Sequence, residues 1–258
     1  GMGESPRWHA GRLWVCDWTA GEVLSFDAAG ERRVELRMEG LPFSIDWLPD
    51  GRAVLTSPAG VVLDDGTPYG GTGRGWNEIV VDAHGNTFVN EIGFDFMGGE
   101  EPRAGTVQVI GPDGSARQVA DDVWFPNGMA LTNDGATLVV AESYRNRLSA
   151  YDAGADGSLT NRRTFAELEF APDGICVDAD GAVWYATVPG SCCIRVAEGG
   201  AVLDRVDADR GCFACMLGGD DGRTLYVVAQ EWGGAEGVGG RTGQVLTHRA
   251  AAPHAGRP

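Results

Sequence analysis

The sequence contains no lysine, and all 20 of its basic residues are arginines. This absence excludes a Schiff-base lysine, a pyridoxal phosphate anchor and the lysine of a P-loop. The basic residues are outnumbered, because 37 Asp and Glu residues give the 258-residue chain a net charge of −17. An acidic chain without a basic stripe is a poor partner for nucleic acid, since phosphate neutralisation supplies most of that affinity. The same acidity suits a protein that binds a hard cation.

Long apolar runs are also missing. No run reaches the roughly 18 residues that would span a bilayer, and no charged and then apolar leader opens the chain. We therefore expect no membrane partner and a cytoplasmic location. The opening Gly1-Met2 is typical of a remnant of expression, so a natural leader could have preceded it.

Two kinds of reactive site lack their motifs. No G-x-S-x-G elbow is present, and the four histidines form no triad pattern, so we expect surface positions for His9, His84, His248 and His254. The glycine-rich YGGTGRGW does not fit G-x-G-x-x-G, because Trp76 stands where the last glycine belongs. Nucleophilic-serine and dinucleotide chemistry are therefore not indicated.

The six cysteines do not form a recognisable zinc motif. Cys212 and Cys215 have the CxxC spacing, but the adjacent Cys192 and Cys193 are not spaced as the second pair that a structural zinc needs. In a chain without a secretory signal we expect reduced, buried thiols. Metal or redox use of the thiols stays open as the alternative.

The sequence does contain a repeat of six units. Each unit has a glycine turn followed by an alternating apolar strand, at intervals of 34 to 50 residues, and the turn glycines are Gly11, Gly51, Gly85, Gly135, Gly181 and Gly222. Short strands at such a period are typical of a β-propeller. We predict an all-β fold, a single six-bladed β-propeller over residues 1–258, with 249–258 as a tail.

Two details complete the fold prediction. The C-terminal GQVLTHR is expected to pair with strands from the N-terminal region and so close the ring. An irregular β-sandwich is the alternative architecture, but sandwiches do not repeat at this period.

Oxygen-bearing side chains recur at one position of the repeat. Eight residues before the turn glycine in units three to five, and seven before it in unit one, stand Asn77, Asn127, Asp173 and Glu4. Units two and six have Phe43 and Ala214 there, so the pattern is selective. The innermost strand of each propeller blade leads into this turn, so residues at equal offset lie at equal height around the central channel. Two carboxylates and two amides are therefore predicted around one point on the axis.

Two carboxylates so close would repel each other unless a cation lay between them. All-oxygen ligation favours one divalent cation, Ca²⁺ before Zn²⁺, Mg²⁺ or Mn²⁺, with the predicted ligands Glu4, Asn77, Asn127 and Asp173. Each residue alone has a structural alternative, such as an Asx turn for Asn127 or Asp173 and a solvated charge for Glu4. Their common offset favours the metal site.

The segments around these positions resemble the SMP-30/gluconolactonase/luciferin-regenerating-enzyme family of six-bladed propellers. The similar motifs, in order across nearly the whole chain, are GESPRW, NEIVVDAHG, FPNGMALTNDG, APDGICVDADG and CFACMLGGDDGRTLYVV. The resemblance implies that Glu4, Asn127 and Asp173 bind a catalytic divalent cation. It also implies that Asn77 lies near the metal or the substrate and that Asp173 transfers the proton.

The chain departs from the sugar-lactone members of that family at one substrate position. Those members often have an arginine two residues before the Asn of blade three, whereas here that place is Gly75 and Arg74 is displaced by one. Asp95 falls where members can have an acidic substrate contact, and Trp76 and Trp124 each lie beside a ligand position. The predicted substrate-binding residues are therefore Asn77, Arg74, Asp95, Trp76 and Trp124.

The resemblance and the ligand ring together imply a metal-dependent hydrolase that opens a lactone, of sugar type or a related cyclic ester. We expect the metal to polarise the carbonyl, and Asp173 to take a proton from the attacking water and return it to the ring oxygen. Two alternatives stay open: hydrolysis of another ester or a phosphotriester, and a non-catalytic calcium-binding propeller. The expected partner is a small-molecule substrate, and the chain is expected to be a monomer or a weak homo-oligomer.

Overall fold

Six antiparallel sheets follow one another along the chain in the computed structural model, which describes residues 1–71, 75–132, 134–234 and 240–256. The strands of the first three sheets are β1 (Gly3–His9), β2 (Arg12–Asp17), β3 (Glu22–Phe26), β4 (Arg32–Arg37), β5 (Ile45–Trp47), β6 (Ala53–Ser57), β7 (Gly60–Leu63), β8 (Pro68–Gly70), β9 (Trp76–Val81), β10 (Thr87–Glu91), β11 (Gly105–Ile110) and β12 (Ala116–Val123). Those of the last three are β13 (Pro126–Leu131), β14 (Thr137–Glu142), β15 (Arg147–Ala153), β16 (Leu159–Glu167), β17 (Ile175–Val177), β18 (Val183–Thr187), β19 (Cys192–Val196), β20 (Val202–Asp207), β21 (Gly211–Gly218), β22 (Thr224–Gln230) and β23 (Gln244–Arg249).

Each sheet is one blade of a ring. Within every blade the strands pair in chain order, and the first strands β1, β5, β9, β13, β17 and β21 contact each other in sequence, with β21 returning to β1. The six-bladed β-propeller predicted from the repeat is therefore confirmed. The described part of the chain has a single helical turn, at Ser143–Arg145, and no helix long and apolar enough to cross a membrane.

The core is divided among the interfaces between blades. Six clusters of buried side chains occur in the described chain, one between each pair of neighbouring blades. Between blades four and five, for example, Val139 packs in one cluster with Tyr185. Full burial of one such apolar side chain contributes about 1.5–3 kcal/mol. The alternating apolar residues of the repeat therefore pack against the neighbouring blades on both faces of every blade.

The repeat turns join the first and second strands, as expected. In blade four, Gly135 has a φ of +71°, a conformation that glycine adopts without strain. The carboxylate of Asp134 accepts a hydrogen bond of 3.0 Å from the backbone N–H of Ala136. The Asp-Gly pair therefore supplies both the backbone conformation and a local acceptor for the turn.

The expected closure of the ring by the last strand is wrong. β23 pairs with β22, in a register that places Thr224 opposite Arg249, and so completes a three-stranded blade six. β23 is the next described strand after β22, which makes that pairing the local one. Blades one and six meet by face packing instead, where the rings of Trp8 and Tyr226 stack 5.6 Å apart.

The C-terminal segment is docked on the propeller. Arg249 is still part of β23, so the segment expected as a tail begins inside a strand. Beyond it, Ala250 and Ala252 are buried, and His254 forms an isolated antiparallel bridge with Asp178 of blade five.

Candidate metal centre and active site

The innermost strands are irregular where the predicted ligands lie. The pairing of β1, β9 and β13 with the second strand of each blade shifts register near the start of the innermost strand. Asn77 and Asn127 lie within the shifted stretches, and Glu4 lies at the edge of its own. A β-bulge bends the strand and can re-aim a side chain, and bulges are frequent beside active sites. Because Asn127 is part of β13, the Asx-turn alternative for it is wrong.

Asp173 lies just before β17 and is held by the backbone. Its N–H donates to the carbonyl oxygen of Ala186 at 2.8 Å, which extends the pairing of blade five by backbone contact. Its own carbonyl oxygen accepts from the N–H of Gly128 in blade four, at 3.2 Å. Asp173 is therefore tied to two blades before its side chain makes any contact.

The structure brings the four predicted ligands together from four blades. The Asn77 Nδ2 atom lies 3.4 Å from the Asn127 Oδ1 atom, and the Asn127 side chain is hydrogen-bonded to the Asp173 carboxylate. Asp173 in turn lies near enough to Glu4 for their charges to interact. Asn77 is 9% exposed, whereas the other three are half-buried. Their role as metal ligands stays a prediction, since the contacts show proximity alone.

The two carboxylates are strained electrostatically. Burial, opposed by the Asn127 hydrogen bond and aided by the charge of Glu78, raises the pKa of Asp173 to about 8. Burial and the charges of Asp173 and Glu78 likewise raise the pKa of Glu4 well above its usual range. Both carboxylates would be favoured in their ionised form by a nearby cation.

The donor set fits a hard divalent cation. Two carboxylates and two amides offer oxygen atoms, which Ca²⁺ and Mg²⁺ prefer. Across residues 1–71, 75–132, 134–234 and 240–256, no group of three or more His, Cys, Asp or Glu side chains is placed to hold a metal ion. A centre at these four residues would therefore depend on the two asparagines as well as on the carboxylates.

Residues that the sequence analysis missed support Asn127. The Ser143 hydroxyl donates to the Pro172 carbonyl oxygen at 2.6 Å and lies 3.4 Å from the Asn127 Nδ2 atom. The Asn90 side-chain amide donates to the Asn127 carbonyl oxygen at 2.7 Å. A signal for such positions exists in the repeat, because the second strand of every blade ends on a polar residue: Asp17, Ser57, Glu91, Glu142, Thr187 and Gln230.

A buried ion pair, also missed, lies next to the ligand set. Glu78 follows Asn77, and one of its oxygens accepts from Arg7 at 2.9 Å, from the Ser5 hydroxyl at 3.1 Å and from the Ile79 N–H at 2.8 Å. Arg7 also donates to the Ile79 carbonyl oxygen at 2.7 Å. Burial would lower the pKa of Arg7, but the charges of Glu78, Asp46 and Cys16, together with the hydrogen bond to Glu78, outweigh burial and raise that pKa. This pair ties blade one to blade three beside the candidate site.

The structure does not place Trp76 as predicted, whereas the pocket role of Trp124 stays a prediction. Trp76 is 1% exposed and packs in the core between blades two and three, so it cannot line an open pocket. The Trp124 ring nitrogen donates to the Asp122 carboxylate at 2.8 Å, and the Arg145 guanidinium lies 5.4 Å from the centre of its ring. These contacts join the Trp124 ring to a surface ion pair and not to the four predicted ligands.

The other two predicted substrate contacts differ in kind. Asp95 is exposed, and its carboxylate accepts from the Gly98 N–H at 2.7 Å within its own loop. Arg74 lies outside the described residues. Among the described residues, no contact of Asp95 with the four predicted ligands supports its predicted role.

The structure buries the cysteines and leaves the histidines half-buried or exposed. All six cysteines are buried and free, as expected, and Cys212 and Cys215 pack with Cys176 and Cys193 between blades five and six. His84 is exposed and the other three histidines are half-buried. The zinc alternative for the CxxC pair gains no support from the described residues.

The sequence matches a known family along most of its length. Residues 2–231 match the model described as the SMP-30/Gluconolactonase/LRE-like region. A regucalcin from Xenopus laevis is 28% identical over 88% of this chain and 83% of its own length. A pentonolactonase from Haloferax volcanii is also 28% identical, over 88% of this chain and 80% of its own length.

Solved structures show the same fold. A luciferin-regenerating enzyme superposes with a TM-score of 0.80 at 21% identity, over 98% of this chain and 92% of the other. A calcium-binding protein, regucalcin, from Agrobacterium tumefaciens superposes with a TM-score of 0.79 at 20% identity, over 99% of this chain and 92% of the other. At such identities the likeness concerns the fold alone.

Proposed function

This chain belongs to the SMP-30/Gluconolactonase/LRE-like family, and we propose that it is a hydrolase that opens a lactone with the help of one divalent cation. The observation that carries the proposal is the convergence of Glu4, Asn77, Asn127 and Asp173 from four separate blades. A relative named as a pentonolactonase supports the reaction class. A structural relative described as a calcium-binding protein supports Ca²⁺ as the first candidate cation.

The four converging residues would hold the cation. When bound there, a divalent cation supplies Lewis-acid polarisation of the substrate carbonyl. Asp173 takes a proton from the attacking water on its carboxylate and returns that proton to the ring oxygen as the ester bond breaks. The water oxygen becomes part of the new carboxylic acid, and the ring oxygen leaves as an alcohol.

Neighbouring residues hold this machinery in place. Asn127 restrains the Asp173 carboxylate by its hydrogen bond, and Ser143 with Asn90 restrains Asn127 on either side. The buried pair of Arg7 and Glu78 is charge-balanced, so it fills the space beside the ligands without leaving a lone buried charge. Positioning of this kind lets a catalytic carboxylate act without reorganisation.

Non-catalytic calcium binding is the second candidate function, because one structural relative is described as a calcium-binding protein. Hydrolysis of another ester or of a phosphotriester would use the same residues, so such substrates belong in the test panel. The three candidates differ in turnover and in metal dependence, and both can be measured on one preparation.

The test measures hydrolysis of lactones, linear esters and a phosphotriester after chelation and after return of Ca²⁺, Mg²⁺, Mn²⁺ or Zn²⁺. We expect lactone turnover that chelation removes and a divalent cation restores. The variant Asp173→Asn keeps an oxygen donor but loses the base, so its kcat should fall at least about 100-fold. The control Asp180→Asn changes an exposed aspartate in the first-strand turn of the same blade and should retain wild-type kcat.

Each outcome decides one element of the proposal. Full turnover by Asp173→Asn would show that Asp173 is not the base. Turnover that survives chelation would show that the reaction does not depend on a metal. Calcium binding in a calorimeter without turnover of any ester would establish the non-catalytic candidate instead.

A further inference from the structure

The exposed large apolar side chains that lie between strands all fall at one end of the propeller. Among the described residues, four large exposed ones lie on the outer strands β4, β20 and β23: Val34, Val202, Leu203 and Val245. The other five lie between strands, with Tyr144 in the helical turn and the rest in loops: Leu41, Phe96, Met97, Tyr144 and Trp232. Every blade is antiparallel, so loops that follow its second or fourth strand lie at the end where its first strand begins. The predicted ligands stand at the starts of first strands. These five residues therefore lie at the same end of the ring as the predicted ligands.

Four aromatic rings form a contiguous cluster at this end, which we call the aromatic rim: Phe94, Phe96, Phe125 and Tyr144. The Phe125 and Tyr144 rings stack at 4.7 Å, and the Phe96 ring lies edge-on to Phe125 at 5.2 Å. The Phe94 ring lies 5.9 Å from Phe125 and 5.8 Å from Tyr144. Phe96 is 38% exposed and Tyr144 46% exposed, so the rim presents apolar surface to solvent.

The rim is joined to the candidate site by the backbone. Tyr144 follows Ser143, whose hydroxyl contacts the Asn127 side chain. Phe125 stands two residues before Asn127, and its carbonyl oxygen accepts from the Ser143 N–H at 3.1 Å. The rim therefore borders the ligand set on the side of blade four.

The two carboxylates nearest to Phe94 and Phe96 in their loop, those of Asp95 and Glu100, already accept hydrogen bonds from within that loop. The Asp95 carboxylate accepts from Gly98, and the Glu100 carboxylate accepts from the Asp95 N–H and from Arg103, each at 2.7–2.8 Å. A polyhydroxylated ring needs hydrogen-bond partners that are not already paired. An apolar group instead gains by covering aromatic surface that water otherwise contacts.

We propose that the preferred substrate is a neutral lactone that bears an apolar substituent, alkyl or aryl, which lies against the aromatic rim. This inference rests on the proposed function and adds the substrate class to it. The net charge of −17 disfavours an anionic substrate and favours release of the carboxylate product. The rim, and not the metal ligands, then distinguishes this substrate from a sugar lactone.

The test compares γ-butyrolactone, γ-octalactone and a polyhydroxylated aldonolactone with the metal-loaded enzyme. We expect kcat/KM to be at least about tenfold higher for γ-octalactone than for γ-butyrolactone, because each added methylene that leaves water contributes a few-fold. The aldonolactone should be the poorest of the three. In Phe96→Ala and Tyr144→Ala the ratio of kcat/KM for γ-octalactone to γ-butyrolactone should fall about three- to tenfold.

The matched control is Leu203→Ala, which removes an exposed apolar side chain of similar size on an outer strand. It should leave both the ratio and the basal turnover unchanged. A second readout is the affinity of the lactam analogue of γ-octalactone, measured by calorimetry, which needs no hydrolysis. We expect Tyr144→Ala to weaken that affinity about three- to tenfold.

The outcomes separate this inference from the proposed function. Lactone turnover with no chain-length preference, or with the aldonolactone preferred, would overturn the substrate class and leave the hydrolase intact. Lactam binding that depends on Tyr144 without turnover of any lactone would overturn the reaction and support the apolar subsite. Absence of both turnover and lactam binding would overturn both.

Discussion

Two glycines decide how closely neighbouring blades approach at the candidate site. Gly128 follows Asn127, and a Cβ atom on it would lie 2.5 Å from the Ile175 backbone nitrogen of the next blade. Gly174 follows Asp173, and its Cβ would lie 2.5 Å from the Cβ of Ala214. Real Cβ atoms do not approach so closely, so a side chain at either position would push two blades apart. The glycines of the Asn127-Gly128 and Asp173-Gly174 pairs therefore allow neighbouring blades to come into contact beside the predicted ligands.

The variant Gly128→Ala should lose both stability and activity. The clash is with backbone, which cannot rotate away, so we expect a loss of about 1–3 kcal/mol in the free energy of unfolding. Displacement of Asn127 from Asp173 should lower metal affinity as well. Urea unfolding and calorimetry with Ca²⁺ measure the two effects.

The control is Gly181→Ala, which has a positive φ of +78° but open space around its Cβ position. It should cost about 1–2 kcal/mol through backbone strain alone. Wild-type metal affinity in Gly128→Ala would contradict the role given to this glycine.

The thiols are the other residue-scale feature. Burial raises the pKa of Cys16, Cys176, Cys193 and Cys215 well above the usual range. Because the thiolate is the reactive form, buried thiols of this kind are inert. These cysteines therefore serve as small core residues.

We expect iodoacetamide at about pH 8 to label none of the six cysteines of the folded protein and all six after denaturation. Intact-mass spectrometry counts the labels. The variant Ala155→Cys places a thiol on an exposed loop and should take one label when folded. Rapid labelling of a native cysteine would show that the core between the blades opens more readily than described.

At the scale of elements, Glu142 joins the strands of blade four. It ends β14, and its side chain is fully buried. One oxygen accepts from Arg147 and Arg162, both at 2.9 Å, and from the Ser149 hydroxyl, while the other accepts from the Trp124 N–H at 2.9 Å. These donors come from β15, β16 and the segment before β13. One carboxylate thus joins β14 to β15, to β16 and to the segment before β13.

The variant Glu142→Gln should be less stable than the wild type at neutral pH, and this difference should disappear in acid. Burial would raise the pKa of Glu142, but the hydrogen bonds from Ser149, Trp124, Arg147 and Arg162 lower it below the usual 4.5. A lowered folded-state pKa contributes stability above the unfolded value, and that stability is lost as pH falls through the folded value. At pH 7 we expect the variant to be about 3–5 kcal/mol less stable, because a buried ion pair is broken.

Urea unfolding at pH 7 and at several values below 4.5 should show the wild-type advantage shrinking as pH falls. The control Glu198→Gln breaks an exposed ion pair with Arg163 and should change stability by less than about 1 kcal/mol at any pH. A gap between wild type and Glu142→Gln that is the same at pH 7 and pH 3 would rule out this account.

At the scale of the whole molecule, the C-terminal segment ties two blades together. The Ala179 N–H donates to the Pro253 carbonyl oxygen at 2.8 Å, and the Ala255 N–H donates to that of Val177 at 3.2 Å, both in blade five. The His254 N–H donates to the Gly222 carbonyl oxygen of blade six at 2.8 Å. These contacts are made at the turn end of the blades, opposite the predicted ligands.

Truncation after Arg249 should therefore lower stability and spare the site. Three or four backbone hydrogen bonds at about 0.5–1.5 kcal/mol each amount to about 2–6 kcal/mol, or several degrees in Tm. Metal affinity at 25 °C should stay at the wild-type value, since the ligands lie at the other end of the ring. A chain that ends at Gly256 is the control and should have the Tm of the wild type. An unchanged Tm after truncation at Arg249 would show that the docking of the C-terminal segment is weak.

The fold was predictable from the sequence because a propeller repeats its local signals. Each unit has its own turn glycine and its own alternating apolar strand, so six weak signals at one period support one another. The common offset of Glu4, Asn77, Asn127 and Asp173 was visible for the same reason. The pairing of the last strand was not, because pairing partners are chosen by chain geometry and not by composition.

The sequence by itself determined the number of blades, the strand turns and the register at which oxygen-bearing side chains recur. Only the tertiary structure decided which neighbours those side chains meet. Trp76 and Asn77 are adjacent in the chain, yet the bulge in β9 leaves one in the core and the other beside Asn127. The aromatic rim likewise joins loops from two blades, Phe94 with Phe125, which are distant in sequence. Periodicity reports a strand's own conformation, whereas bulges and loop contacts depend on the packing of separate blades against each other.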